Sequence, residues 1–226
     1  MANAGKLGFR VLPSPPRIGD EILARFRGLA SSNLADAMGR FNFMDPGIRQ
    51  RSGLPLCGVA VTVNTRPADN LMVHKALQVA RPGDIVVVAT SGSTGSSVFG
   101  ELMCHTAVAA RLGGIIVDGA IRDIDGITRL RFPAYSRTVS PGGCDKDGPG
   151  EVNVPISCGG TVVAPGDIIV GDEDGVAVVP RAHAEEVLEL VTELMDREEK
   201  RIAEIDAGTV FRPDVDELLR KRGVIA

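Results

Sequence analysis

Tryptophan is absent from the 226 residues, tyrosine occurs once, and aromatic residues make up 4% of the chain. That scarcity argues against base-stacking platforms and sugar-stacking sites. The four cysteines, Cys57, Cys104, Cys144 and Cys158, form no Cys-x-x-Cys, so zinc-ribbon and thioredoxin readings fail. A strong charge of either sign is also missing. The net charge is −4 and the pI about 5.5, which argues against a general nucleic-acid or membrane-surface binder. No apolar stretch approaches the length of a membrane span. Residues 1–17 hold no apolar run of signal-peptide length. The expected compartment is therefore cytoplasmic, with reduced cysteines.

Hydrophobic residues make up 44%, enough for a sizeable core, and the length suits a single domain. The densest signal lies between Gly83 and Asp123. A strand, Asp84–Ala89, runs into a loop of small residues, Thr90–Gly100. A helix is expected from Glu101 to Leu112, then a buried run, 113–117, and the polar turn Asp118-Gly-Ala-Ile-Arg122-Asp123. In an open α/β sheet, ligands bind outside the carboxyl ends of strands. Both the loop with Glu101 and the Arg122-Asp123 pair fall at such ends. The first turn of the helix offers backbone N–H groups without internal partners, an anion site, and Gly100 permits close approach to the backbone. Arg122 carries a planar fork suited to a carboxylate or phosphate. Asp123, with Glu101 nearby, supplies hard oxygen of the kind Mg²⁺ or Mn²⁺ prefers. The competing bland reading is a solvated Arg-Asp turn after a plain flexible loop. No Gly-Lys-Ser/Thr closes the loop, and Gly92 and Gly95 do not complete a dinucleotide fingerprint.

The remaining chain reads as follows. Residues 1–17 form a polar arm with Pro13, Pro15 and Pro16, either loose or laid across a partner subunit. Ile18, Ile22, Leu23, Phe26 and Leu29 have helical spacing over 18–30. Ser32 is expected to cap a short helix from Asn33 to Met38. Residues 40–56 read as loop, 57–65 as strand and 70–80 as helix. His74 on that helix reads as a hydrogen-bonded structural residue. A short helix over 124–131, a strand after Arg131 and a Gly-rich loop over 140–150 follow. Short β runs at 151–156, 161–163, 167–171 and 176–179 predict an antiparallel layer. Asp172-Glu173-Asp174 reads as a hairpin turn, since EF-hand length and flanking helices are missing. A long amphipathic helix covers 181–207, with Val187, Leu190, Val191, Leu194 and Ile202 at helical spacing. Pro213 is expected to open a last helix, Asp214–Arg222, ended by Gly223.

The spacing of Glu101, twenty residues, Arg122-Asp123 resembles the Asp-x20-Arg-Asp signature of the class II 4-hydroxy-4-methyl-2-oxoglutarate and 4-carboxy-4-hydroxy-2-oxoadipate aldolases. These share a fold with the regulator of ribonuclease activity A. The segments Asp69–Leu77, Arg81–Asp84, Gly100–Leu102, Val117–Asp123 and Pro165–Pro180 also resemble family segments in order, so the similarity spans roughly residues 30 to 208. Position 101 departs from the signature by carrying Glu, one methylene longer.

The resemblance implies an α/β fold: a single-domain β/β/α sandwich of the swivelling-domain type with parallel and antiparallel strands. The arm would end at 17, the core domain would span 18–207, and a helical tail would span 208–226. It implies Mg²⁺ or Mn²⁺ on Asp123, with Glu101 orienting a metal-bound water. Arg122, Gly100 and the N–H groups of Leu102 and Met103 would hold the pyruvyl end of a 2-oxo acid substrate. Some members take a Glu from the neighbouring subunit, for which Glu199 or Glu198 is the candidate, in a homotrimer or homohexamer. The implied activity is retro-aldol cleavage of a 4-hydroxy-2-oxo acid to pyruvate, accompanied by oxaloacetate decarboxylation. The alternatives are a protein that inhibits an RNA-processing enzyme and a related 2-oxo acid decarboxylase or lyase.

Overall fold

The computed structural model describes residues 5–212 and 214–226. In chain order the elements are β1 (Gly5–Lys6), β2 (Phe9–Val11), α1 (Asp20–Phe26), α2 (Ser31–Ala37), β3 (Arg49–Gln50), β4 (Leu56–Thr65), α3 (Leu71–Val79), β5 (Ile85–Ala89), α4 (Glu101–Ala109) and β6 (Gly114–Ile121). Then come α5 (Ile124–Arg129), β7 (Ala134–Val139), β8 (Gly150–Val152), β9 (Ile156–Cys158), β10 (Thr161–Val163), β11 (Ile168–Gly171), β12 (Val176–Val179), α6 (Ala184–Asp206) and α7 (Val215–Lys221).

Strands β4, β5, β6 and β7 lie side by side and parallel, joined by α3, α4 and α5. Every residue of β5 and β6 is buried, which is why both read as near-continuous apolar runs. Alternate side chains serve opposite faces. Val86, Val88, Ile115 and Val117 meet Val73 and Leu77 of α3, Met103 of α4 and Ile127 of α5. Ile85, Val87 and Ile116 point the other way, onto Ile156, Val163, Ile169 and Val178 of a second β layer. The outer side of that layer, at Ile168, Val170 and Ala177, is covered by Phe26, Leu34, Val187 and Val191 from α1, α2 and α6. The result is an α/β single domain with a mixed sheet and helices on both outer surfaces.

The two layers share β4. Its first residues, Leu56–Val59, pair antiparallel with β11, and Ala60–Asn64 pair parallel with β5. The β11–β12 hairpin turns at Asp172, whose Oδ1 accepts from the backbone N–H of Asp174, 3.0 Å away. The cluster is thus a turn, as its length suggested.

Several local expectations are corrected. From Gly5 onward the arm is not loose: β2 pairs parallel with β8, and Arg17 forms an ion pair with Asp84. Ser32 does not cap α2. It lies inside the helix, and Asp172 accepts from the N–H and hydroxyl of Ser31, each at 2.7 Å. The cap comes from a hairpin far along the chain. Residues 40–56 contain the short edge strand β3. Helix α4 stops at Ala109, because Arg111 adopts a left-handed φ of 58°. On α6, Leu190 and Ile202 are exposed, at 40% and 58%, so the distal half of that helix leaves the core. The last helix has Asp214 as its N-cap, and Gly223 follows it at φ 68°. Pro213 lies outside the described residues.

Candidate active site

The three crossover helices all begin at one edge of the parallel sheet, the carboxyl ends of β4, β5 and β6. The loop after β5 is strapped to the end of β6 by two backbone bonds. Val98 N donates to Ala120 O at 3.1 Å and Arg122 N to Phe99 O at 3.0 Å. This strap brings the N-terminus of α4 against the Arg122-Asp123 turn. Asp123 is left-handed, φ 59° and ψ 43°, a conformation that Asp tolerates better than most residues. That backbone turns its side chain toward the neighbouring helix. Oδ2 accepts from Glu101 N at 3.1 Å and lies 3.5 Å from Arg122 Nε. Leu102 and Met103 supply the next two N–H groups, which have no acceptor within the helix. Gly100 is needed here for space: a Cβ would sit 2.6 Å from Asp123 Oδ2 and 3.1 Å from Arg122 Cγ.

A cavity of about 250 Å³ opens beside this turn, with Gly100, Leu102, Met103, Arg122 and Asp123 in its wall. Guanidinium, helix N-terminus and carboxylate therefore converge as the sequence pattern suggested. Glu101 is placed differently. It is not among the lining residues. Its carboxyl lies over Gly126 of α5, where a Cβ would collide with it, and Arg129 Nη2 stands 3.4 Å from its Oε1. Glu198 and Glu199 are exposed on α6 and do not line the cavity of their own chain. Glu198 accepts from Asn33 at 2.8 Å.

Whether the residues suit a divalent metal can be judged from the donors. Among the described residues no three His, Cys, Asp or Glu side chains cluster. Asp123 alone gives the cavity a hard carboxylate. That suits Mg²⁺ or Mn²⁺, which bind through one or two carboxylates plus substrate oxygens and water. It does not suit a metal that needs an all-protein cage.

A second wall of the cavity was not evident from the sequence. Asn70 and His74 line it from α3, and Cys144 and Lys146 from the loop before β8. Asp69 organises this wall. It is fully buried and accepts from the N–H groups of Leu71 at 3.0 Å and of Asp147 and Gly148 at 2.8 Å, with Arg66 at 3.1 Å. Burial pushes its carboxyl up, but these donors hold it below the usual carboxylate range. His74 is shifted down by burial and by Lys146, which favours a neutral ring. Burial raises the Cys144 thiol, which keeps it protonated.

Residues 31–178 match the RraA-like family, described as Aldolase/RraA. A protein of Halalkalibacterium halodurans named "Putative 4-hydroxy-4-methyl-2-oxoglutarate aldolase" is 36% identical over 170 residues, 75% of this chain and 81% of its own length. The chain belongs to the RraA-like family. Among solved structures, a Pseudomonas syringae protein of unstated function superposes with a TM-score of 0.78 at 28% identity. It covers 87% of this chain and 94% of its own. The Thermus RNA-processing inhibitor RraA superposes with a TM-score of 0.63 at 25% identity, over 67% of this chain and 93% of its own. Within this RraA-like chain, the matched region contains both cavity walls. Strand β2, which pairs with β8, and the whole of α6 lie outside it.

The family resemblance read from the motifs therefore holds, and so does the mixed α/β fold. His74, read as a hydrogen-bonded structural residue, lines the cavity, and its Nε2 has no hydrogen-bond partner among the described residues. No motif in the sequence assigns a role to Asn70 or Lys146. The one available signal was their presence in, or near, segments that bracket helix α3 and the Gly-rich loop over 140–150.

Proposed function

We propose that this chain is a divalent-metal-dependent lyase. It would cleave a 4-hydroxy-2-oxo acid of the 4-hydroxy-4-methyl-2-oxoglutarate type to pyruvate and a second oxo acid. The observation that carries this is the Asp123 Oδ2 bond to Glu101 N. It fixes Arg122, a metal-suited carboxylate and the α4 N-terminus at one wall of one cavity.

Arg122 and the N–H groups of Leu102 and Met103 bind the pyruvyl carboxylate and carbonyl. Asp123 would hold Mg²⁺ or Mn²⁺, which would supply Lewis-acid polarisation of the 2-oxo group. As the C3–C4 bond breaks, the C4 hydroxyl passes its proton to water and becomes a carbonyl, the bonding electron pair passes to C3, and protonation of the resulting enolate at C3 from solvent gives pyruvate. Arg122 and the helix N-terminus stand where the enolate charge develops, so they stabilise the transition state more than the ground state. Loss of CO₂ from oxaloacetate produces the same enolate, so decarboxylation is expected at the same site. Glu101 would act as a second carboxylate only by turning toward the cavity from the Gly126 and Arg129 side, where its carboxyl lies. Assembly as a homotrimer or homohexamer, with Glu199 or Glu198 reaching a neighbouring cavity, is part of the proposal. Nucleic acid and membranes are not proposed as partners, and no described helix is long and apolar enough to cross a membrane.

The test is a coupled pyruvate-release assay with 4-hydroxy-4-methyl-2-oxoglutarate and oxaloacetate, with Mg²⁺ or Mn²⁺ and with a chelator. Metal-dependent release from both supports the assignment. Release from oxaloacetate alone keeps the enolate site and shifts the natural substrate to another oxo acid. A second reading, inhibition of an RNA-processing enzyme, is favoured by the likeness to the Thermus inhibitor. Silence of folded protein on both substrates would support it.

A further inference from the structure

Helix α3 presents two polar atoms that the reaction above leaves unused. Asn70 is the N-cap of α3 and 6% exposed. Its Nδ2 turns toward Val98 O at 3.4 Å and Met103 Sδ at 3.3 Å. His74 follows four residues later, with its N–H on Asn70 O at 3.0 Å, so the two side chains share one helix face. Asn70 Oδ1 and His74 Nε2 are buried, and neither has a hydrogen-bond partner among the described residues. Both residues line the cavity that Arg122 and Asp123 also line. Buried polar atoms are almost always paired, so two unpartnered ones on residues that line one cavity point to a ligand.

The chemistry of the pair narrows that ligand. With Nδ2 turned to Val98 and Met103, the free atom of Asn70 is an acceptor and requires a donor. A carboxylate has no proton to give. A cationic amine would sit beside Arg122 and Lys146, at a Coulombic cost. A neutral imidazole offers Nε2 as donor or acceptor according to its tautomer. A hydroxyl both donates and accepts, so it is the neutral group whose chemistry suits both atoms. We propose that Asn70 and His74 form a hydroxyl-binding subsite, and that the C4 hydroxyl is the feature by which this chain selects its substrates. The inference rests on the lyase assignment and adds to it the residues that read the part of the substrate lost as the second oxo acid.

The test compares kcat/KM for 4-hydroxy-4-methyl-2-oxoglutarate with that for oxaloacetate, which has no hydroxyl at C4. The proteins are wild type, His74→Phe and His74→Gln, and melting curves report folding. Taking the ratio of the two values for each protein cancels any loss of active molecules. His74→Phe should lower the ratio by roughly 10- to 100-fold, as expected for a buried hydroxyl left without its partner. His74→Gln, which keeps a hydrogen-bonding end, should recover part of it. An unchanged ratio in both variants would overturn the subsite, whatever the absolute rates. Wild-type protein that releases pyruvate from neither substrate would overturn the lyase assignment and the subsite together. Wild-type activity on both with an unmoved ratio would overturn the subsite alone.

Discussion

The turn after β6 and the start of α3 line the same cavity on different physical terms. At the turn, Arg122 and Asp123 are charged, and their side chains keep 45% and 43% of their exposure. Charges so placed interact weakly with each other through solvent. They gain strength when a ligand displaces that solvent, as a binding and catalytic wall requires. At α3, Asn70 is neutral and buried, and His74 is held toward neutrality. The charge behind them, Asp69, is fully buried and satisfied by three backbone donors and Arg66. One wall is therefore ready for chemistry and adds little to stability. The other is a rigid template whose disturbance is felt through the fold.

The contrast breaks first at Asp123 and Arg122. Asp123→Ala should lower metal-dependent pyruvate release by about 10³-fold or more, and Arg122→Ala by about 10²–10³-fold, the range for losing a group aimed at developing charge. Both should leave the denaturation midpoint nearly unmoved; a large fall in stability would deny the difference between the walls. Asp69→Ala should do the reverse and cost about 3 kcal/mol in denaturant unfolding, because it strands several buried donors. Its folded value lies below its unfolded one, so this stability is present above the ordinary carboxylate pKa. It is lost as pH falls below about 4 through the folded value. Wild type and Asp69→Asn, compared over that interval, should converge toward acid. Divergence toward acid would reverse the sign and contradict the network.

Smaller effects sharpen the picture. Gly100→Ala places a methyl against Asp123 Oδ2 and should lower kcat/KM by about tenfold, because a small misplacement at a reacting centre is costly. An unaffected rate would show that the close approach is not required. Arg129→Ala removes only an exposed partner of Glu101 and should change stability by less than about 1 kcal/mol. A larger change in chemical denaturation would show that the Glu101–Arg129 contact is structural.

The charged wall was legible in the sequence because its parts lie within 24 residues, from Gly100 to Asp123, inside one strand–loop–helix–strand unit. The apolar runs of β5 and β6 gave the parallel core directly, since burial on both faces leaves an unmistakable composition. The second wall was not legible. Asn70, His74 and Lys146 come from a helix and a distant loop, joined by Asp69 holding the N–H groups of Asp147 and Gly148 and by backbone bonds of Asp145 with Ala68 and Asn70. A buried Asp looks like any other Asp in a string of letters. The direction of Glu101 was hidden for a related reason: the space it fills is set by Gly126, whose role as a gap appears only when α5 packs beside α4. Asp172 capping α2 is a third long-range contact of this kind.

The most direct measurement is calorimetric titration of oxalate, a stable mimic of pyruvate enolate, into wild type and Asp123→Ala with and without Mg²⁺. The account predicts binding to wild type that requires the metal and is lost in Asp123→Ala. Equal binding in its absence, or retention of full affinity in the variant, would contradict a metal-assisted enolate site at the Arg122-Asp123 turn.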